Sequence, residues 1–241
     1  MNNQVVLKNA VIVVHRMIRY NLKIIFANKF IYFLIAALGI FIFVTVINVL
    51  NADSNPTEET VYWLLLVPGI LLIFYPVTFG IQNDVDTKML EILFGIPNYR
   101  YKVWLIRLML IFLAVFIILM LLCVVSSLAL TPVSVFEMIA QVMIPIVFLG
   151  SVAFMVSTLV RNGSGTAVVM VIFGMTFWIA RNFFEGHRKW NAFLNPFTIP
   201  QNMNETVWAE IVFNNRVYLI AGMILALLYG LLNLQKREKF L

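Results

Sequence analysis

Residues 83–102 read NDVDTKMLEILFGIPNYRYK. This polar interval separates two apolar runs, about 61–81 and 103–130, each long enough to cross a membrane. Its first half alternates in charge through Asp84, Asp86, Lys88 and Glu91. Val85, Met89, Ile92 and Ile96 recur at 4-3-4 spacing, the apolar stripe of a short helix, and Gly95 with Pro97 ends it. Such a helix is too polar to hide in lipid and too small to be a domain. Two readings are open. It is an interfacial loop that only reverses the chain, or it is a surface through which a soluble partner pushes on the spans.

The flanking chain is as apolar as that placement requires. Of 241 residues, 62% are hydrophobic and 12% charged, with a mean hydropathy of +0.95. That excludes an ordinary soluble domain and predicts an all-α, polytopic membrane protein. With so few charges, the net +6 is informative through where the cations lie, not as a nucleic-acid footprint. Cys123 is the single cysteine, sits in an apolar run and reads as a small core residue. No small-x-small cleavage site follows the basic N-terminal segment, so a cleaved signal is not expected.

Working outward, six spans are expected, at about 30–50, 61–81, 103–130, 136–160, 165–180 and 217–234. Residues 8–29 precede them as a basic amphipathic helix, with Val11, Val14, Ile18, Leu22 and Ile25 on one face and Lys8, His15, Arg16, Arg19 and Lys23 on another. It would lie along the membrane surface as an anchor. Pro68 and Pro76 predict a kink in the second span unless neighbours satisfy the freed carbonyls, and Pro145 a bend in the fourth. Asn55-Pro56 ahead of Glu58 reads as a helix start. Ser134 with Glu137 fits a capping box. Arg107, one turn inside the third span, is expected to snorkel. The segment 181–216 is too polar to span and too aromatic to be a free linker, so short re-entrant or interfacial helices are expected there before the last span.

Six spans put both termini on one side. The termini, the 83–102 interval and Arg161 carry twelve of the cations, against Arg181, Arg188, Lys189 and Arg216 in the opposite loops. The positive-inside rule makes the richer side cytoplasmic. The expected location is the cell membrane, multi-pass, with a prokaryotic source.

Catalytic motifs are not found. No G-x-x-x-x-G-K-[ST] is present, so no P-loop nucleotide site is expected, and no H-E-x-x-H or cysteine pair suggests zinc. Ser164 and His187 fall at opposite ends of the fifth span, about 25–30 Å apart on a continuous helix, too far for a serine protease pair. No charged residue lies at the centre of a span, which disfavours ion-coupled carriers and proton pumps. Thr45, Asn48, Ser126, Ser127, Ser157 and Thr176 are polar groups within spans, expected to bond locally or between helices. Gly222, Ala226 and Gly230 form a small-residue stripe on the last span. Close packing within one subunit is the favoured reading and a dimer seam the other.

The order of parts resembles the membrane subunit of an ABC-2 family exporter: a cytoplasmic amphipathic helix, six spans, a coupling helix after the second, and a folded outer segment before the sixth. The family carries an acidic residue followed by threonine, glutamate, leucine, proline and arginine; this chain has Asp84, Thr87, Glu91, Leu93, Pro97 and Arg100. Lys88 and Met89 stand where small or apolar residues are usual. Leu194-Asn195-Pro196-Phe197 resembles the stretch that precedes the family's last span.

The resemblance implies that two membrane subunits pair, identical or paralogous, over two separate ABC ATPase subunits. Those partners would hold the ATP and magnesium, with no cofactor, metal or catalytic residue on this chain. Asp84, Asp86, Lys88, Met89, Glu91, Ile92, Pro97 and Arg100 would form the ATPase-coupling surface. Phe183, Phe184, Trp190, Asn195, Pro196, Phe197 and Trp208 would form an outer lid. The cargo would be an amphiphile: a lipid, hydrophobic peptide or drug-like molecule. The alternatives are a structural, motility or signalling subunit that borrows the architecture, and a channel, against which the lack of charged rings argues.

Overall fold

The computed structural model describes residues 30–51, 55–86, 100–180, 190–201 and 203–234; at 85, 100–102 and 180 it describes the backbone alone. The amphipathic 8–29 segment, the middle of the polar interval, residues 181–189 and the basic C-terminal tail lie outside these. Every regular element among the described residues is helical: α1 (Phe30–Leu50), α2 (Glu58–Asp86), a π-helical run (Arg100–Leu105) leading into α3 (Ile106–Ala129), α4 (Val135–Val160), α5 (Gly163–Ala180) and α6 (Glu205–Asn233). Five helices are long and apolar enough to cross a membrane, and Gly163–Ile179 is a shorter apolar helix. The chain is therefore a polytopic α-helical membrane protein in type. The end of the bundle where residues 87–99 leave is called here the basic end, and the opposite one the aromatic end.

Two helices make the core. α2 packs on α1, α3, α4 and α5, while α4 packs on α2, α3, α5 and α6. Within its spanning window α2 is 67% buried, against 22% for α1 and for α6. The reason lies in small residues at the crossing. A Cβ on Gly69 of α2 would strike Ile146 and Leu119, and one on Gly150 of α4 would strike Ile73 and Phe112. Each glycine thus receives an isoleucine from the facing helix, and the two backbones approach closely in lipid, where dispersion rather than water drives packing. Gly230 does the same for α6, since a Cβ there would strike Phe154 of α4. The Gly222-Ala226-Gly230 stripe accordingly packs within the subunit.

Several boundaries differ from the sequence reading. α2 begins at Glu58, not at Pro56; the Thr57 N–H donates to Thr60 Oγ1. α2 also runs on to Asp86, so the polar interval opens as the last turn of a long helix. It is one unbroken element through Pro68 and Pro76, as α4 is through Pro145. Ser134 precedes α4 without a side-chain cap, and Glu137 is exposed, so the capping box does not form. The Val133 N–H is taken instead by Ser127 Oγ of α3.

The largest difference is α6. Its helix starts at Glu205, twelve residues before the expected span, and its first turns carry the polar residues that read as loop. Among the described residues, 191–201 and 203–204 run as turns and irregular chain, and the rest of the segment expected to hold outer helices, 181–189, lies outside the described residues. The span-interior polar groups behave as expected. Thr45, Asn48, Ser126 and Thr176 donate to carbonyls four residues back and Ser157 to one three back. Cys123 is a buried free thiol.

Candidate functional site

At the basic end, α2 and α3 flank residues 87–99. Asp84 lies in the last turn of α2 and is 3% exposed; Arg107, in the first turn of α3, is 5% exposed. Arg107 Nη1 donates to Asp84 Oδ2 at 2.8 Å. The guanidinium also lies 4.7 Å from the Trp104 ring centroid, a cation–π contact from the π-helical run. Arg107 therefore does not snorkel: a carboxylate is nearer than water. Asp84 in turn is not part of the exposed surface of the interval, because its carboxylate is already engaged. An ion pair this dry holds only while both partners are present. It ties the exit of α2 to the entry of α3, so whatever moves residues 87–99 moves two helices together.

Of the other residues expected at a coupling surface, Asp86 is exposed at the tip of α2 and the Arg100 backbone opens the π-helical run. Lys88, Met89, Glu91, Ile92 and Pro97 lie outside the described residues. α5 closes the basic end from the side. Gln82 Oε1 of α2 accepts the Gly163 N–H at the start of α5. Arg161 takes the left-handed conformation, φ 58°, that turns the chain from α4 into α5. Gly163 is required for a different reason: a Cβ there would strike Phe79 and Gln82.

At the aromatic end, residues 191–197 are tied down by their own backbone. Asn191 Oδ1 accepts the Phe193 N–H and Asn195 Oδ1 the Phe197 N–H, two tight asparagine turns. These turns aim successive carbonyls at the bundle. Asn191 O accepts from Asn215 Nδ2 at 2.8 Å, Leu194 O from Tyr62 Oη at 3.1 Å, and Pro196 O from Trp208 Nε1 at 2.8 Å. Arg216 completes the cluster. Its Nε donates to Gln141 Oε1 of α4, its Nη1 to Asn215 Oδ1 and its Nη2 to Leu194 O. At 6% exposure this guanidinium joins α4, α6 and the 191–197 segment.

Arg216 is thus a buried tie and not a loop cation. Asn195, Pro196, Phe197 and Trp208 come together here, with the Phe197 ring 6.1 Å from that of Tyr62. Trp190 stands apart, half exposed and stacked on Tyr218 at 4.4 Å. Phe183 and Phe184 lie outside the described residues. Tyr62, Gln141, Asn215 and Arg216 escaped the sequence reading as site residues. The available signal was Asn-Asn-Arg directly ahead of an apolar run, a combination that reads equally well as the end of a loop.

Among the described residues no group of three or more His, Cys, Asp or Glu is placed to hold a metal. Among the described residues the geometry offers mechanical linkage at both ends of the bundle. No protein-family model matches this chain, no curated protein matches it in sequence, and no solved structure matches its fold.

Proposed function

We propose that this chain is the membrane subunit of an ATP-binding-cassette exporter for an amphiphile, driven by separate ATPase subunits. The observation that carries the reading is the buried Asp84–Arg107 pair, which bolts together the two helices that flank the polar 87–99 segment. A handle fastened to two helices converts a push from outside the membrane into movement of both. The chain itself carries no P-loop to supply that push. In this reading Asp84 acts as the bolt. Asp86, Lys88, Met89, Glu91, Ile92, Pro97 and Arg100 face the ATPase, and the aromatic end is the external lid.

The reading takes α5 as a sixth span. Its 18 residues reach about 27 Å, close to the ~30 Å hydrocarbon thickness. Six spans return both termini to the cytoplasm, the side favoured by the cations. A second membrane subunit completes the complex in the cell membrane.

Co-expression with a P-loop ATPase from a neighbouring reading frame, followed by reconstitution, tests this. ATP-dependent export of a fluorescent amphiphile is expected, and Glu91→Lys should abolish it while leaving membrane insertion intact. Unimpaired ATP-driven export by that variant overturns the coupling assignment. Assembly with no substrate-stimulated hydrolysis points to a structural or signalling subunit instead.

A further inference from the structure

Two cavities lie one above the other along the seam between α1, α2 and α5. The first, at the basic end, has a volume of about 520 Å³ and is lined by Tyr32, Tyr75, Gln82, Asp86 and Ser164 among others. Asp86 alone carries a charge among its described lining residues. The second holds about 320 Å³ and its lining is entirely apolar, including Phe33, Phe74, Leu149, Met170, Gly174 and Phe193. The two are immediate neighbours. Tyr32 and Tyr75 line the polar cavity, and the adjacent residue in each helix, Phe33 after Tyr32 and Phe74 before Tyr75, lines the apolar one. The wall between them is the Phe33 ring, stacked on Tyr75 at 5.1 Å. Gly174 of α5 leaves the apolar cavity open, since a Cβ there would meet nothing within 4 Å.

We propose that this seam binds a single-chain amphiphile with a cationic head, the head in the polar cavity and the tail beyond the Phe33–Tyr75 wall. A carboxylate with Gln82 and Asn83 lining the same end of the cavity is a site for an ammonium or quaternary ammonium group, and the Phe79 and Tyr75 rings, further along α2, line the way from it to the apolar cavity. An apolar cavity near the lower end of the usual ligand size range takes one hydrocarbon chain and not two. In the six-span topology proposed above the basic end meets a headgroup layer, and head and tail would then enter at the depths they occupy in a leaflet. The Phe33 ring, held against Phe74 and Tyr75, is the side chain that a tail passing between the two spaces displaces. The inference deepens the exporter reading by naming a class of amphiphile, but it is tested without an ATPase, so either one can fail while the other stands.

The test uses the purified full chain in uncharged maltoside micelles and two photoreactive probes of equal chain length, an alkyltrimethylammonium and the corresponding alcohol. Saturable labelling of α2 and α5 peptides is expected, with half-saturation at lower concentration for the cation. Asp86→Asn should weaken cation binding roughly tenfold and remove the preference. Gly174→Trp should block labelling by both probes, whereas Gly39→Trp, at an equally open position on α1, should not. Labelling that rises linearly with probe, or a cation preference that survives Asp86→Asn, overturns the proposal. Should Gly174→Trp fail to fold, the Asp86 variant decides alone, because that side chain is exposed.

Discussion

Asp84 and Arg107 show what a single charge does at the edge of a bilayer. Each side chain alone would be drawn to water, yet each is almost fully buried because the other is 2.8 Å away. Arg107→Met leaves a buried carboxylate and should cost about 3–5 kcal/mol, whereas Asp84→Leu combined with Arg107→Met should recover most of it. Denaturant unfolding in detergent micelles measures both, and equal losses in the single and double variants would exclude the pair as a bolt. Arg216 is tied in another way, through three neutral acceptors spread over α4, α6 and the 191–197 segment. A lysine has no planar fork to reach all three. Arg216→Lys should therefore lower stability by about 1–3 kcal/mol and increase proteolysis at residues 191–204, a change that limited digestion followed by mass spectrometry detects.

Helices are placed by where their small residues fall. Gly69, Gly150 and Gly230 sit under side chains of the facing helix, whereas Gly39 faces open space. Gly230→Leu should push α6 off α4 and lower the unfolding temperature by several degrees, as expected for a loss of about 1–3 kcal/mol by overpacking. Gly39→Leu should be close to neutral in the same thermal assay. All four glycines look alike in sequence, since each interrupts an apolar run. Only the facing helix distinguishes a contact from an idle position. The start of α6 is a related case. Glu205, Glu210, Asn214, Asn215 and Arg216 made residues 205–216 look like loop. A helix tolerates those side chains because Asn215 and Arg216 spend their donors on Asn191 O, Leu194 O and Gln141 Oε1.

For the whole molecule, sidedness is the main testable quantity. In a Cys123→Ser background, a cysteine at Glu91 should react with an impermeant maleimide only from the cytoplasm, and one at Trp190 only from outside. Reaction of both positions from the same face would break the six-span topology. The Trp190 site is a fair reporter because that ring is half exposed.

The sequence by itself determined the class of the protein, the number of apolar runs, the polar interval between the second and third, and the local bonding of hydroxyls within helices. Those follow from composition and from backbone groups that have no water to bond with, and both are properties of short stretches. Tertiary structure alone decided that Asp84 and Arg107 are one unit, that Arg216 is a tie and not a loop cation, that α6 begins at Glu205, and that two cavities of opposite character share a seam. Each of these depends on partners far apart in the chain: 23 residues separate Asp84 from Arg107 and 75 separate Gln141 from Arg216. A charge has no preferred depth in a bilayer until its partner's position is known, and that position is set by how the helices cross.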